Sequence, residues 1–365
     1  MPTVIQLRAE TKPFERRSPL SPDGAKALLD AGYVVRVERS SDRIYKDAEY
    51  EAVGAELVPT GSWKDAPHDT IILGLKELPD VEAPLPHTHV TFHHIFKQTG
   101  HEIWLNRFKQ GGGTLYDLEF LCHENGARVS AFGYSAGYAG AALALYNWAH
   151  QLLHPDTPQG PVPMFDNAQA LIDYVKAALE PAIKANGQPP QIIIIGALGR
   201  CGRGATEFCR QVGQENILKW DLAETKKGGP FPEIAQSDIF VNCVFLGAAP
   251  VPPFVTFDSL NVPGRRLRVI ADVSCDPNSP SNPVPLYSTW SDFENPTLAT
   301  SKPLEQDPQV RIIAIDHLPT LIAREASDEY SAGLLPTLLT LDKRDTEGVW
   351  TRAEKVFKEK VAEIA

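Results

Sequence analysis

Cysteine is scarce in this chain of 365 residues, with five in all at positions 122, 201, 209, 243 and 275. They show neither zinc-ligand spacing nor the density of a secreted disulfide scaffold, so a reducing compartment and no metal centre are expected. Positive charge is also short: 35 Lys and Arg stand against 46 Asp and Glu, a net charge of −11. That balance disfavours nucleic acid or an anionic membrane as a general partner, although local basic clusters can still hold small carboxylates or phosphates. The opening Met1-Pro-Thr-Val-Ile-Gln-Leu-Arg8 has no apolar signal core, and the closing Glu363-Ile-Ala365 is no peroxisomal tripeptide. The cytoplasm is therefore the expected address. No repeat of solenoid type is found. The stretch from Val129 to Leu153 lacks formal charge and is long enough to span a bilayer. Its Ala, Gly, Tyr and Ser content, ending in Asn147, His150 and Gln151, suits a closely packed helix inside a soluble protein better.

What is present is organised around Ile192-Ile-Ile-Ile195 and the Gly196-Ala-Leu-Gly199-Arg-Cys-Gly202 that follows. Four Ile after the breaker pair Pro189-Pro190 read as a strand buried on both faces. Gly196, Gly199 and Gly202 predict a tight turn that lets a ligand approach the backbone, and Ala205 to Val212 a helix whose first amides face an anion. The spacing G-x-x-G-x-x-G departs from the dinucleotide fingerprint, so a plain strand-to-helix turn is the alternative. Context favours the dinucleotide. Asn216 to Asp221 reads as a second strand ending on a carboxylate about 20 residues past the turn, where an acid binds the adenosine ribose. Because a carboxylate there repels a 2′-phosphate, Asp221 points to NAD over NADP, with Lys226 and Lys227 expected beyond the ribose.

The length predicts two domains. Val4 to Leu7 is a strand, and Arg8, Lys12, Arg16 and Arg17 after it form either a carboxylate clamp or a solvated charged loop. A helix from Asp23 to Ala31, capped by Ser21, leads to a strand from Tyr33 to Glu38. Asp69 to Glu77 is an apolar strand ending on Lys76-Glu77, and functional groups gather at such carboxyl ends, though a surface lysine is the plainer reading. Strands are also predicted at His89 to Gln98, with His93 and His94 on opposite faces, at Thr114 to Glu119 and at Arg128 to Phe132. Tyr134 to Leu153 is a crossover helix. Asp238 to Val244, Leu267 to Val273 and Val310 to Pro319 are further strands, and the loop from Asp276 to Pro303 is long enough to cover a ligand. The fold class is α/β, two Rossmann-like domains with parallel sheets and an active site in the interdomain cleft. Residues 1–133 with 320–365 make a substrate-binding and catalytic domain, and 134–319 an NAD-binding domain.

Six runs occur in a telling order: Leu7-Arg-Ala-Glu-Thr-Lys-Pro13, Gly61-Ser-Trp-Lys64, Ile72-Leu-Gly-Leu-Lys76-Glu77, Gly113-Thr-Leu-Tyr-Asp-Leu-Glu-Phe120, Ile195-Gly-Ala-Leu-Gly-Arg-Cys-Gly202 and Ile315-Asp-His-Leu-Pro319. In them the chain resembles the fungal L-lysine-forming saccharopine dehydrogenase family over essentially its whole length. More distantly it is similar to alanine dehydrogenase and the transhydrogenase nucleotide domain. The resemblance implies NAD-dependent oxidative cleavage of saccharopine to L-lysine and 2-oxoglutarate, which closes lysine biosynthesis by the α-aminoadipate route. Such chemistry takes hydride from a carbon bearing a secondary amine, so the amine must be neutral and the resulting imine hydrated and broken. Two acid-base groups are needed. The resemblance places them on Lys76, accepting the amine proton, and His94, acting in the later steps.

For the substrate carboxylates the resemblance implies Arg17 and Arg128, whose guanidinium forks suit them, with Gln98 and Phe132 lining the pocket. For NAD it implies Gly199 and Arg200 at the pyrophosphate, Asp221 and Thr225 at the ribose, and Phe245 and Val273 beside the base or nicotinamide. Ile315, Asp316, His317 and Leu318 fall at the domain junction. It also suggests that Cys201 and Cys243 approach disulfide distance, the alternative being two small buried thiols. A cytoplasmic monomer working on small molecules is expected, with no nucleic acid, membrane or metal partner. Two rivals stand beside this reading: an alanine-dehydrogenase-like amino acid dehydrogenase, and a catalytically silent NAD-binding regulator.

Overall fold

A computed structural model describes residues 2–78, 82–92, 96, 101–244, 252–275, 277, 279 and 281–364. The chain divides into two units, Met1–Ala131 with Ala323–Ala365, and Phe132–Ile322. In the first, β1 (Val4–Leu7), β2 (Val34–Glu38), β3 (Glu56–Val58), β4 (Ile71–Leu73), β5 (Thr88–Thr91) and β6 (Thr114–Asp117) form a parallel sheet in the order β3-β2-β1-β4-β5-β6. The order reverses between β1 and β4, and in open α/β sheets ligands bind outside the carboxyl ends of strands at such a reversal. Ile5, Leu7, Val35, Val37, Ile71, Ile72 and Leu73 are buried, as strands covered on both faces require. The helix Pro22–Asp30 starts as predicted, with Ser21 Oγ accepting the Gly24 N–H at 3.1 Å and Pro22 in the first turn.

Strand ends differ from the prediction. β4 stops at Leu73, leaving Lys76 in the following loop, where the N–H groups of Leu75 and Lys76 go to the Glu10 carboxylate instead of a neighbouring strand. Gly74 lies against the Arg8 guanidinium, and a Cβ there would stand 2.3 Å from Arg8 Nε. β5 stops at Thr91. No strand runs from Arg128 to Phe132; a single antiparallel bridge joins Cys122 to Arg128, and Phe132 is the N-cap of the next helix.

In the second unit β7 (Ile192–Ile195), β8 (Ile217–Trp220), β9 (Ile239–Asn242), β10 (Val269–Asp272), β11 (Leu298–Ala299) and β12 (Arg311–Ile313) are ordered β11-β12-β10-β9-β7-β8. All pairings are parallel, as expected, except that of the short edge strand β11 with β12. The four Ile of β7 are wholly buried. Here the reversal falls between β7 and β9.

The helix Gly133–Leu153 is the uncharged stretch, and no helix among the described residues is long and apolar enough to cross a membrane. Its small residues admit the helix Arg200–Gln211. A Cβ at Gly137 would lie 1.9 Å from the Cys201 carbonyl oxygen, and one at Gly204 1.9 Å from that of Tyr134. The second helix starts at Arg200, not Ala205, and so includes Gly202. A Cβ at Gly202 would lie 2.2 Å from the Gly196 carbonyl oxygen, so this glycine serves the packing of turn on helix rather than ligand approach. The loop expected to cover a ligand buries Val284, Leu286, Tyr287 and Phe293 in its described part.

Replacing Gly137 with Ala should destabilise the protein despite the better helix propensity of Ala, which offers at most about 1 kcal/mol. The methyl must displace a backbone carbonyl, and overpacking costs about 1–3 kcal/mol. Urea unfolding should show a net loss, whereas Gly160→Ala, with nothing within 4 Å of the new methyl, should be neutral.

Candidate active site

The first unit gathers its polar groups at the β1/β4 reversal. Arg8, just past β1, is buried; it donates to the Lys76 carbonyl and pairs with Glu10 at 3.4 Å. Glu10 in turn accepts the backbone N–H groups of Leu75 at 2.6 Å and Lys76 at 3.0 Å. Thr91 Oγ1, at the end of β5, donates to the same Lys76 carbonyl at 3.0 Å. Both backbone polar groups of Lys76 are thus fixed by neighbouring strand ends, and the residue is only 5% exposed, which removes the surface-lysine reading. Burial pushes the Glu10 carboxyl above its ordinary range, opposed by the Arg8 charge. Glu38, at the end of β2, accepts from Gln6 Nε2 (3.2 Å) and from the N–H groups of Ala9 (2.9 Å), Gly61 (3.0 Å) and Trp63 (2.8 Å). This explains the Gly61-Ser-Trp-Lys64 run: it is anchored to the loop that carries Arg8.

The basic loop is not simply solvated. Arg17 and Glu15 are both buried, with Nε at 2.8 Å and Nη2 at 2.6 Å from the carboxylate, a fork-to-fork pair. Arg128 pairs with Glu119 at 3.2 Å just beyond β6, whose last residue is the buried Asp117. Tyr330, in the helix Ala323–Leu338, joins them: burial first, then the Asp117 charge, raises its hydroxyl pKa, while Arg128 and Arg17 oppose the rise. His94 and Gln98 lie outside the described residues. Sequence reasoning missed Glu10, Thr91, Asp117 and Tyr330. Asp117 ends a strand and was legible by the rule that flagged Lys76; Tyr330 had no signal, because a helix some 200 residues away brings it in.

The second unit places its predicted residues at the carboxyl ends of β7, β8, β9, β10 and β12. Gly196 has φ 84°, and a Cβ there would lie 2.7 Å from the Cys243 carbonyl oxygen, so only glycine fits. Gly199 is exposed as N-cap, with Arg200 exposed after it, so the first-turn amides, which a helix leaves without internal partners, are approachable. Asp221 accepts the Leu198 N–H on Oδ2 at 3.0 Å and the Leu222 N–H on Oδ1 at 2.9 Å, while Thr225 Oγ1 donates to its carbonyl at 2.9 Å. Turn and acid are therefore joined by a direct hydrogen bond. Lys227 lies over the rings of Trp220 (5.3 Å) and Phe231 (5.7 Å) and bridges Glu233 at 3.6 Å. An open cap, unpartnered amides and a strand-end acid fit a dinucleotide.

Cys201 and Cys243 are free thiols. Burial, then a hydrogen bond with the Cys201 thiol, pushes Cys243 well above its ordinary pKa. Val273 donates its N–H to the Asn242 carbonyl at 3.0 Å and is half-buried against Gly140. Beyond β12, Ile315 and Leu318 are buried, Asp316 is exposed, and His317 meets Phe293 edge-on at 5.2 Å. Phe245 lies outside the described residues, among which no cluster of three His, Cys, Asp or Glu could hold a metal.

Beneath this edge Asp272 accepts from Asn242 Nδ2 at 2.9 Å and from the Tyr287 hydroxyl at 2.8 Å, and burial raises its carboxyl pKa. A carboxyl raised on folding stabilises most below its unfolded pKa, and the contribution is lost as pH rises through the folded one. Asp272→Asn does not titrate. The stability advantage of wild type over that variant should therefore shrink from about pH 4 upward, by at most about 1.4 kcal/mol per pH unit, in urea melts compared across pH.

The family model for the alanine dehydrogenase/PNT N-terminal domain matches residues 6–139. A Neurospora crassa protein named saccharopine dehydrogenase (NAD(+), L-lysine-forming) is 52% identical over 366 residues, spanning 100% of this chain and 98% of its own. A Schizosaccharomyces pombe protein of the same name is 50% identical over 365 residues, with 99% of each chain covered. Among solved structures, an L-alanine dehydrogenase aligns with a TM-score of 0.68 at 17% identity, covering 96% of this chain and 94% of that one, a likeness of fold.

Proposed function

The chain belongs to the L-lysine-forming saccharopine dehydrogenase family, and from that membership we propose that it cleaves L-saccharopine oxidatively with NAD, giving L-lysine and 2-oxoglutarate in the last step of lysine biosynthesis. The observation that carries the reading is Lys76, buried at the β1/β4 reversal with both its backbone groups held. Its Nζ takes the proton of the substrate's secondary amine, so that a lone pair is available as hydride leaves the adjoining carbon. A backbone fixed by Glu10, Arg8 and Thr91 keeps that nitrogen in a narrow range of positions, which acid-base catalysis requires. His94 carries protons in imine hydration and C–N cleavage. Arg17, oriented by Glu15, and Arg128, oriented by Glu119, bind the substrate carboxylates, and Gln98 and Phe132 line the pocket.

NAD supplies the hydride acceptor when bound. The amides behind Gly199 and Arg200 hold its pyrophosphate, Asp221 and Thr225 its ribose, and Phe245, Val273 and Ile315 to Leu318 the remaining ring contacts. The enzyme acts as a cytoplasmic monomer on small molecules, without nucleic acid or membrane. The alanine dehydrogenase reading is not favoured, since the likeness to that enzyme is one of fold at 17% identity. NADH should form with saccharopine and not with alanine; the reverse preference would refute the assignment.

Lys76→Met should lower kcat by about 10²–10⁴-fold, the scale of a lost general base, with NAD binding intact because the glycine turn belongs to the other unit. Full kcat at saturating substrate with only a raised KM would make Lys76 a carboxylate anchor instead. Cys201 and Cys243 form a reversible disulfide under oxidation. Mass analysis of alkylated protein with and without reductant decides this, and freely alkylated thiols in an oxidised, active sample would rule the bridge out.

A further inference from the structure

A cavity of about 580 Å³ lies within the second unit, lined among others by Asn147, Gln151, Gln159, Arg268 and Arg311. It is remote from the glycine turn by topology. Arg268 immediately precedes β10 and Arg311 opens β12, adjacent parallel strands in which Arg311 stands opposite Val269. The cavity therefore sits at the amino edge of the sheet, whereas the turn follows the carboxyl end of β7. A four-residue strand separates the two edges by about 13 Å.

The wall presents donors that lack acceptors. Neither the Arg268 nor the Arg311 guanidinium has a hydrogen bond or ion pair among the described residues. Gln159 is only 8% exposed, yet its Nε2 has no acceptor. Its orientation follows from its neighbours. Gln151 Nε2 donates to the Arg268 backbone carbonyl at 3.1 Å and to Asn147 Oδ1 at 2.8 Å, and Asn147 Nδ2 donates to Gln159 Oε1 at 2.8 Å. A backbone carbonyl can only accept, so the polarity of this chain of amides is set and it must end on a donor. Two guanidiniums without a hydrogen bond or ion pair and an orphaned buried N–H suit an oxygen anion. Burial pulls Arg268 below the ordinary guanidinium pKa although the Asp238 charge opposes the shift, and a bound anion would offset the remaining cost.

The same cavity carries two carboxylates, Asp156 and Asp307, both exposed and neither within 4.0 Å of these guanidiniums. They repel a polyanion and favour a ligand whose outer end is cationic. We propose that the cavity binds a free α-amino acid, its carboxylate on Arg268, Arg311 and Gln159 Nε2 and its ammonium toward Asp156 and Asp307. The volume is in the range of small-molecule sites, about 300–1,000 Å³.

Equilibrium dialysis with labelled L-lysine on the full chain tests this by counting sites. Wild type should bind one more equivalent than the double variant Arg268→Gln/Arg311→Gln, checked for an unchanged thermal midpoint. Gln159→Glu, which keeps both cations but sets a carboxylate where the donor stood, should weaken that equivalent at least about tenfold. Cadaverine, which lacks the carboxylate, should not displace it. Equal counts in wild type and variants, or displacement by cadaverine, would overturn the proposal. Because the test is a difference between proteins, it stands apart from the reading of the carboxyl edge: counts of one and zero would uphold the cavity while speaking against lysine binding at the catalytic site.

Discussion

The tightest constraint in the second unit is the approach of the helix Gly133–Leu153 to the helix Arg200–Gln211, with main-chain atoms where side chains would ordinarily stand. Gly137 faces the Cys201 carbonyl and Gly204 that of Tyr134, each with room for hydrogen only. A close-packed interior transmits such a contact rather than absorbing it. Once the second helix is pressed home, Gly202 abuts the Gly196 carbonyl and the turn between them has little freedom. Leu198, at its tip, then presents its N–H to Asp221, so the packing of two helices fixes where the strand-end acid stands relative to the helix amides.

The first unit solves the same problem with charge instead of small residues. Its strand-end loops are tied by buried carboxylates: Glu10 holds the loop after β4, and Glu38 joins the loop after β1 to Gly61 and Trp63. Buried carboxylates are costly, and each here is offset by several N–H donors or by Arg8. What results is rigidity of the backbone around Lys76. Glycine contacts suit a site where a ligand must approach the main chain, and carboxylate ties suit one where a side chain must be aimed.

The strands were legible because their β-branched runs are buried on both faces, as in Ile192 to Ile195, and the Ser21-Pro22 helix start because capping is local chemistry. The strand ends were not. β4 stops early because a carboxylate from another loop, that of Glu10, takes the N–H groups of Leu75 and Lys76, a long-range fact. The helix after the glycine turn starts at Arg200 because its glycines are held helical by packing, against their own preference. The length of the loop from Asp276 to Pro303 suggested a cover; that Val284, Leu286, Tyr287 and Phe293 make part of it core was not legible, because they have no periodic spacing. Charge alone could not say that Arg17 is paired with Glu15 inside the protein.

In both units the proposed site residues stand where strand order reverses, though the two orders differ. At a reversal the chain leaves adjacent strands toward opposite faces, so the connecting segments diverge and leave a crevice that needs no further design. Lys76 follows β4 beside the β1/β4 reversal and the glycine turn follows β7 beside the β7/β9 reversal, the positions that strand-end reasoning singles out. The amino edge offers no such guarantee. The cavity beside Arg268 and Arg311 is assembled instead from a helix end, a Pro-rich loop and the starts of two strands, elements whose meeting no local pattern announces. Its one constant is physical: the buried Gln159 amide donor is left without an acceptor, a cost that a ligand beside the two half-buried guanidiniums would offset.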